Sequence, residues 1–348
     1  MNQIINQQFD LFLKEHKEIT NQEFKKVDLE ELLSPVFGNL IASLLFGYEC
    51  EKDMPQIDGK SLIHAIKEIV ENSIKEILDI PNNLTGGLIR KFRLRKCYKR
   101  FDELKSIVEK TIISEYQRRF DNLSSKDDLN LLQLMVNHNK KMLEIDQSRV
   151  LRDDDIIGAI TTLQFAGIDT SLQTTKAGWT YLCNYQIHLH DEIKKSGVKN
   201  IEEMLNNKKL DNLINESLRL FNPLPFTVNR IILKDVTIGG INIRKGDRVC
   251  VPLATARNRD CYGNGKDFVP ERFEWENERA IPKDTFMPFW NGKRSCIGKN
   301  FALIAMKLVM GNLAQRFEFE SIEDFKFKMG LSGVYGCANA VVSMKLKA

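Results

Sequence analysis

Ten residues near the C-terminal end, Phe289-Trp290-Asn291-Gly292-Lys293-Arg294-Ser295-Cys296-Ile297-Gly298, hold one cysteine in a frame of Phe, Gly, Arg and Gly at fixed offsets. The residues after it, from Ile297 to Phe317, carry a helical pattern. A chain with this arrangement must fold a tight turn onto the N-terminal end of a helix. Gly292 permits the turn, and Gly298 lets another group approach the backbone closely. Arg294 offers a planar fork to a carboxylate, and Phe289 can cover the sulfur of Cys296. At a helix start, free N–H groups and the dipole favour a thiolate.

A lone free cysteine is ordinarily a small buried hydrophobe. Five matched positions in ten residues followed by a helix point instead to an axial thiolate ligand on haem iron, with Arg294 on a propionate. The other cysteines, Cys50, Cys97, Cys183, Cys250, Cys261 and Cys337, are scattered, and the total of seven contains no C-x-x-C pair. That argues against a disulfide framework and a structural zinc. Lys and Arg total 51 against 47 Asp and Glu, and the net charge of +4 is too small to imply nucleic acid. No run of eighteen apolar residues is present, and the N-terminus lacks the apolar region of a signal peptide. A membrane anchor is not expected in this chain.

Periodicity predicts helices over Gln22 to Phe46, Leu62 to Leu78, Lys96 to Phe120, Leu129 to Asn137 and Asp154 to Tyr181. Gly47 should terminate the first of these, and Pro81 with Gly86-Gly87 should form a turn. From Asn229 the texture changes to short β-type runs: Ile231 to Leu233, Val236 to Ile238, Ile241 to Ile243 and Val249 to Val251. Phe325 to Leu346 reads as small hairpins. The expectation is one domain over 1–348: helical to about residue 225, short strands and the cysteine loop to about 298, then a helix and hairpins.

Two further constellations stand on the helical part. The long helix contains Phe165-Ala166-Gly167-Ile168-Asp169-Thr170-Ser171, where Ala166 and Gly167 remove bulk beside a carboxylate and a hydroxyl. Glu216 and Arg219 lie three apart on one helix face. By itself such a pair is commonplace and contributes little.

The cysteine frame is similar to the cysteine loop of the cytochrome P-450 family, Phe-x-x-Gly-x-Arg-x-Cys-x-Gly, with Trp290 where that family often has Gly or Ser. The 166–171 segment resembles the family's Ala-Gly-x-Asp/Glu-Thr-Thr/Ser motif. Glu216-Ser217-Leu218-Arg219 resembles its Glu-x-x-Arg helix, whose third member is the arginine of Pro270-Glu271-Arg272-Phe273. Asn258-Arg259-Asp260 follows the family's order.

The resemblance implies a mainly α fold with small β-sheets, the cytochrome P-450 fold lacking its N-terminal portion. It implies haem b (iron protoporphyrin IX) as cofactor, with Cys296 as metal ligand, Arg294 and Arg230 on propionates, Phe289 over the sulfur, and Gly292 and Gly298 shaping the loop. Ala166 and Gly167 would form an oxygen groove, Asp169 and Thr170 a proton relay, and Phe165, Thr227 and Val228 part of the substrate pocket. Glu216, Arg219 and Arg272 would form a buried triad. The implied activity is a monooxygenase acting on a lipophilic small molecule with electrons from NADPH through a reductase. The alternatives are a hydroperoxide-rearranging enzyme and an inactive truncated haem-binding fragment.

The Glu216 to Pro225 segment is similar to microsomal members. That implies a monomer and, for a full-length parent, an endoplasmic-reticulum membrane surface. Basic residues Lys293, Lys299 and Lys307 flank the cysteine loop and could attract an acidic electron donor. A denser cluster from Arg90 to Arg100 could touch anionic lipid. The family's upstream Trp-x-x-x-Arg helix has no counterpart, since the tryptophans are Trp179, Trp275 and Trp290. The chain is expected to be an N-terminally incomplete fragment.

Overall fold

In the computed structural model, the described residues are 1–20, 23–48, 53–77, 95–121, 130–253, 260–274, 281–282, 285–332 and 334–347. The Pro81 and Gly86-Gly87 turn, the basic side chains from Arg90 to Arg100, and Asn258-Arg259 lie outside them. In chain order the elements are α1 (Asn2–Glu15), β1 (Lys25–Asp28), α2 (Leu29–Phe46), β2 (Gln56–Ile57), β3 (Lys60–Ser61), α3 (Leu62–Ile77), α4 (Arg95–Asp121) and α5 (Leu131–Ile145). They continue as α6 (Asp153–Tyr185), α7 (Ile187–Lys195), α8 (Ile201–Asn206) and α9 (Lys208–Leu220). Then come β4 (Arg230–Ile231), β5 (Val236–Ile238), β6 (Ile241–Ile243), β7 (Arg248–Val249), α10 (Lys299–Arg316), β8 (Phe317–Glu320), β9 (Met329–Ser332), β10 (Val334–Cys337) and β11 (Val341–Leu346). The fold is mainly helical with small sheets.

One expectation fails at the start of α2. The residues from Lys25 to Asp28 are a strand, not the first turn of a helix, because β11 pairs with them antiparallel from Lys25↔Met344 to Asp28↔Val341. The helix begins at Leu29, where the Glu30 N–H is accepted by the Asp28 carboxylate at 2.9 Å. Helix α5 runs on to Ile145, and α1 had no signal strong enough to be anticipated. Helix α2 is long and apolar enough by composition to cross a membrane, yet 67% of it is buried, so it is built as a core helix.

The described residues divide into two compact units: residues 1, 3–9 and 34–169, and residues 2, 10–33 and 170–348. In the first, Gly47 ends α2 with φ +76, and a Cβ there would come 2.8 Å from the Asn130 amide. Asn130 also caps α5 by accepting the Gln133 N–H at 3.0 Å and accepts from buried Arg119, whose other nitrogen donates to the Phe46 carbonyl at 2.6 Å. Arg119 thus satisfies the buried Phe46 carbonyl at the end of α2, a need every helix C-terminus has.

In the second unit, β1, β11 and β8 form a sheet in that order, and β4 pairs with β7, β5 with β6 and β9 with β10. Helix α10 is its centre, with Ala305 to Ala314 buried. Helices approach closely through glycine: a Cβ at Gly178 of α6 would overlap Ser217 of α9, and one at Gly311 of α10 would come 2.7 Å from Met204 of α8.

Candidate haem-thiolate site

The cysteine loop closes on itself. The Cys296 N–H donates to the Phe289 carbonyl at 2.9 Å, and the Ser295 N–H to the Gly292 carbonyl at 3.1 Å across the short 3₁₀ turn Gly292–Arg294. Gly292 has φ +76, a left-handed conformation that glycine adopts without penalty. Trp290 has φ +62, which for a bulky side chain costs about 1–3 kcal/mol. Its N–H bonds the Met287 carbonyl at 3.0 Å, and its ring lies under the Arg230 guanidinium with 5.3 Å to the centroid. That cation–π contact fastens β4 to the loop.

Helix α10 starts at Lys299, capped by Gly298, so Cys296 sits just before its N-terminal end. A Cβ on Gly298 would lie 3.8 Å from the Cys296 sulfur. The sulfur belongs to an exposed residue, and its neighbour Ile297 is 90% exposed. Phe289 is half-buried. Burial pushes the thiols of Cys183 and Cys337 up and keeps them protonated. Among the described residues no group of three or more His, Cys, Asp and Glu gathers at metal-binding spacing.

Arg230 and Arg294 are both exposed, and neither has a carboxylate partner among the described residues. An accessible sulfur at a helix start, apolar surface beside it and two uncompensated guanidinium groups fit a flat iron cofactor bearing carboxylates. Sequence alone offered no sign of the Arg230–Trp290 stack beyond the unusual tryptophan.

The structure brings Glu216, Arg219 and Arg272 together. Arg219 Nε and Nη2 donate to the two Glu216 oxygens at 2.6 and 2.7 Å, with both side chains fully buried. Arg272 Nε lies 3.5 Å from Glu216 Oε1, which also accepts the Val269 N–H at 2.8 Å. The arginines in turn hold carbonyls: Gly265 and Asp267 on Arg219 at 2.7 and 3.0 Å, and Asn264 and Tyr262 on Arg272. The segment before the cysteine loop is therefore tied to α9 by charge and carbonyl bonds together. The Tyr262 ring under Arg219, 5.1 Å from its Cζ, had no sequence signal.

On α6, Ala166 is exposed and Phe165 and Thr170 are half-buried, continuing an open stripe with Ala159 and Thr162 at helical spacing. Gly167 lies elsewhere. A Cβ there would come 2.5 Å from Ile41 Cδ1, so the missing side chain lets Ile41 of α2 approach the α6 backbone. Asp169 is 8% exposed and paired with Lys67 of α3, Nζ to Oδ1 3.4 Å. A residue some hundred positions upstream could not be chosen as its partner from sequence.

Thr227 donates its N–H to the Val251 carbonyl and accepts the Val251 N–H on its hydroxyl, both at 2.9 Å. Val228 is 59% exposed. Lys307 departs from expectation: it is buried in α10, paired with Asp211 at 2.6 Å and bonded to the Leu205 carbonyl. Its aliphatic stem packs while its charge is neutralised, which removes it from any docking face. Lys293 and Lys299 are exposed.

The cytochrome P450 family model matches residues 1–345. Cytochrome P450 3A41 of Mus musculus is 32% identical over 220 residues, 60% of this chain and 42% of that protein. Cytochrome P450 3A9 of Rattus norvegicus is 26% identical over 347 residues, 94% of this chain and 66% of that protein. The chain thus spans less than half to about two thirds of these curated relatives. Among solved structures, a cytochrome P450 (CYP102L1) superposes with TM-score 0.79 at 18% identity, covering 99% of this chain and 73% of that one. The cytochrome P450DA heme domain gives TM-score 0.79 at 17% identity, covering 100% and 72%.

Proposed function

The chain belongs to the cytochrome P450 family, and from that premise we propose that it is a haem-dependent monooxygenase that inserts one atom of dioxygen into a lipophilic organic substrate. The observation carrying this is the Cys296 loop: an exposed cysteine before α10, in a turn closed by its own N–H, beside two arginines without carboxylate partners among the described residues. When bound, haem supplies a redox-active iron whose thiolate ligand favours O–O cleavage.

The chain's residues do the rest. Cys296 would hold the iron through its sulfur, Phe289 would limit water at that sulfur, and Arg230 and Arg294 would hold the propionate carboxylates. Glu216, Arg219 and Arg272 position the backbone leading to the loop. Thr170 holds a proton on its hydroxyl, and Asp169, its carboxylate oriented by Lys67, takes a proton from solvent and passes it on to renew that one. Phe165, Thr227 and Val228 offer substrate contact. Electrons come from NADPH through a reductase, for which Lys293 and Lys299 provide exposed charge. The endoplasmic-reticulum membrane is the proposed location.

The test is the absorption spectrum of the reduced, carbon-monoxide-bound protein. Wild type should show the red-shifted Soret band of thiolate ligation, and Cys296→Ser should lose it. An identical band in both would overturn the assignment of the iron ligand. Turnover of a fatty-acid hydroperoxide, with none supported by reductase and dioxygen, would replace the monooxygenase reading.

A further inference from the structure

Among the described residues, three that are not glycine have a positive φ: Asp58, Asp324 and Trp290. Aspartate adopts that backbone readily, whereas a bulky ring at φ +62 is strained. Such strain persists only where the surroundings hold the residue in place. Burial is not what holds Trp290, which is half-buried beside the exposed Arg294 loop. Its N–H is accepted by the Met287 carbonyl at 3.0 Å, and its ring lies under the exposed Arg230 guanidinium, with 5.3 Å from Cζ to the centroid. That is within reach of a cation–π attraction.

The kind of anchor decides what Arg230 can still do. A carboxylate that anchors an arginine neutralises its charge and takes up its N–H donors, but Arg230 has no carboxylate partner among the described residues. An indole face attracts the cation through its quadrupole and offers no lone pair to an N–H. The charge and all five donors therefore stay available to an incoming carboxylate. A free arginine side chain gives up rotamer freedom when it binds a ligand, and one already held against a ring gives up less. A strained tryptophan under an unneutralised guanidinium is thus suited to pre-organise an anion-binding group.

We propose that Trp290 is a positioning residue for the cofactor: its indole holds the Arg230 guanidinium ready for a haem propionate without neutralising it, and so slows the loss of haem. The inference rests on the haem-thiolate reading of Cys296.

The test is release into excess apomyoglobin from the full chain, loaded either with haem or with haem dimethyl ester, whose propionates carry no charge. Trp290→Leu keeps an apolar side chain but removes the aromatic face, and should release haem about 2- to 30-fold faster than wild type. Trp290→Phe, whose ring attracts a cation less strongly, should fall between the two, and it carries the same comparison where the leucine variant folds poorly. With the dimethyl ester all three proteins should release at one rate, because Arg230 then has no carboxylate to hold. Loss of loop packing alone would speed both releases equally, and that result would overturn the proposal. Equal haem release from wild type and both variants, in protein that shows the red-shifted carbon-monoxide band, would also overturn it while leaving the thiolate ligand in place. A wild type without that band removes the haem-thiolate reading and this proposal together.

Discussion

Glu216 and Arg219, one turn apart on α9, form a two-bonded carboxylate–guanidinium pair at 2.6 and 2.7 Å with neither side chain exposed. A buried pair of this kind contributes little net stability over an apolar replacement, but removing one member strands a charge at a cost of about 3–5 kcal/mol. Glu216→Ala would leave Arg219 and Arg272 without their shared anion and release the Val269 N–H. We expect Glu216→Ala and Arg219→Ala to lose that stability in denaturant titrations and to prevent stable haem incorporation. A variant with unchanged unfolding midpoint and full haem content would refute the structural role.

Thr170→Ala removes one hydroxyl from a half-buried position on α6. Positioned proton transfer contributes about 10²–10⁴-fold, so product formed per NADPH consumed should drop while NADPH consumption continues and hydrogen peroxide accumulates. Unchanged coupling would take Thr170 out of the mechanism.

The 2.5 Å approach of Ile41 Cδ1 to the position of a Cβ on Gly167 predicts an interaction between the two sites. Gly167→Ala gains helix propensity but forces Ile41 to move. Ile41→Val removes the offending methyl group. In a double-mutant cycle, Gly167→Ala should be better tolerated in the Ile41→Val background than in the wild-type one, by about 0.5–3 kcal/mol. Strict additivity would show that the two helices do not meet in this way.

His190 of α7 is 3% exposed, edge-on to the Trp179 and Phe319 rings. Burial, partly offset by neighbouring Asp191, lowers its pKa from the ordinary 6.5. The unfolded chain therefore binds a proton that the native state resists. Stability is unaffected by this residue above about pH 6.5 and declines as pH falls from there toward the lowered native value. Unfolding midpoints measured across that window should fall with acidity in wild type and fall less steeply in His190→Leu. Parallel profiles would exclude His190 as a source of acid sensitivity.

Much of the cysteine loop was legible because its determinants are local. A left-handed turn calls for glycine at 292, a helix start must follow within a few residues, and the Cys296 N–H reaches only seven positions back to Phe289. The glycine stop at the end of α2 was legible for the same reason. Lys25–Asp28 was not. Its residues form a strand only because β11, some three hundred positions later, supplies the hydrogen-bonding edge.

Local sequence set the helices α2 to α6, the turn around Cys296 and the charges of the Glu216 pair, since propensity, periodicity and capping act over one or two helical turns. Tertiary structure alone decided that Ile41 fills the gap at Gly167, that Lys67 meets Asp169, that Lys307 is buried on Asp211, and that Ile238 and Ile241 are left in solvent. Those outcomes depend on which surfaces remain after packing has buried the rest, and no window of neighbouring residues contains that information.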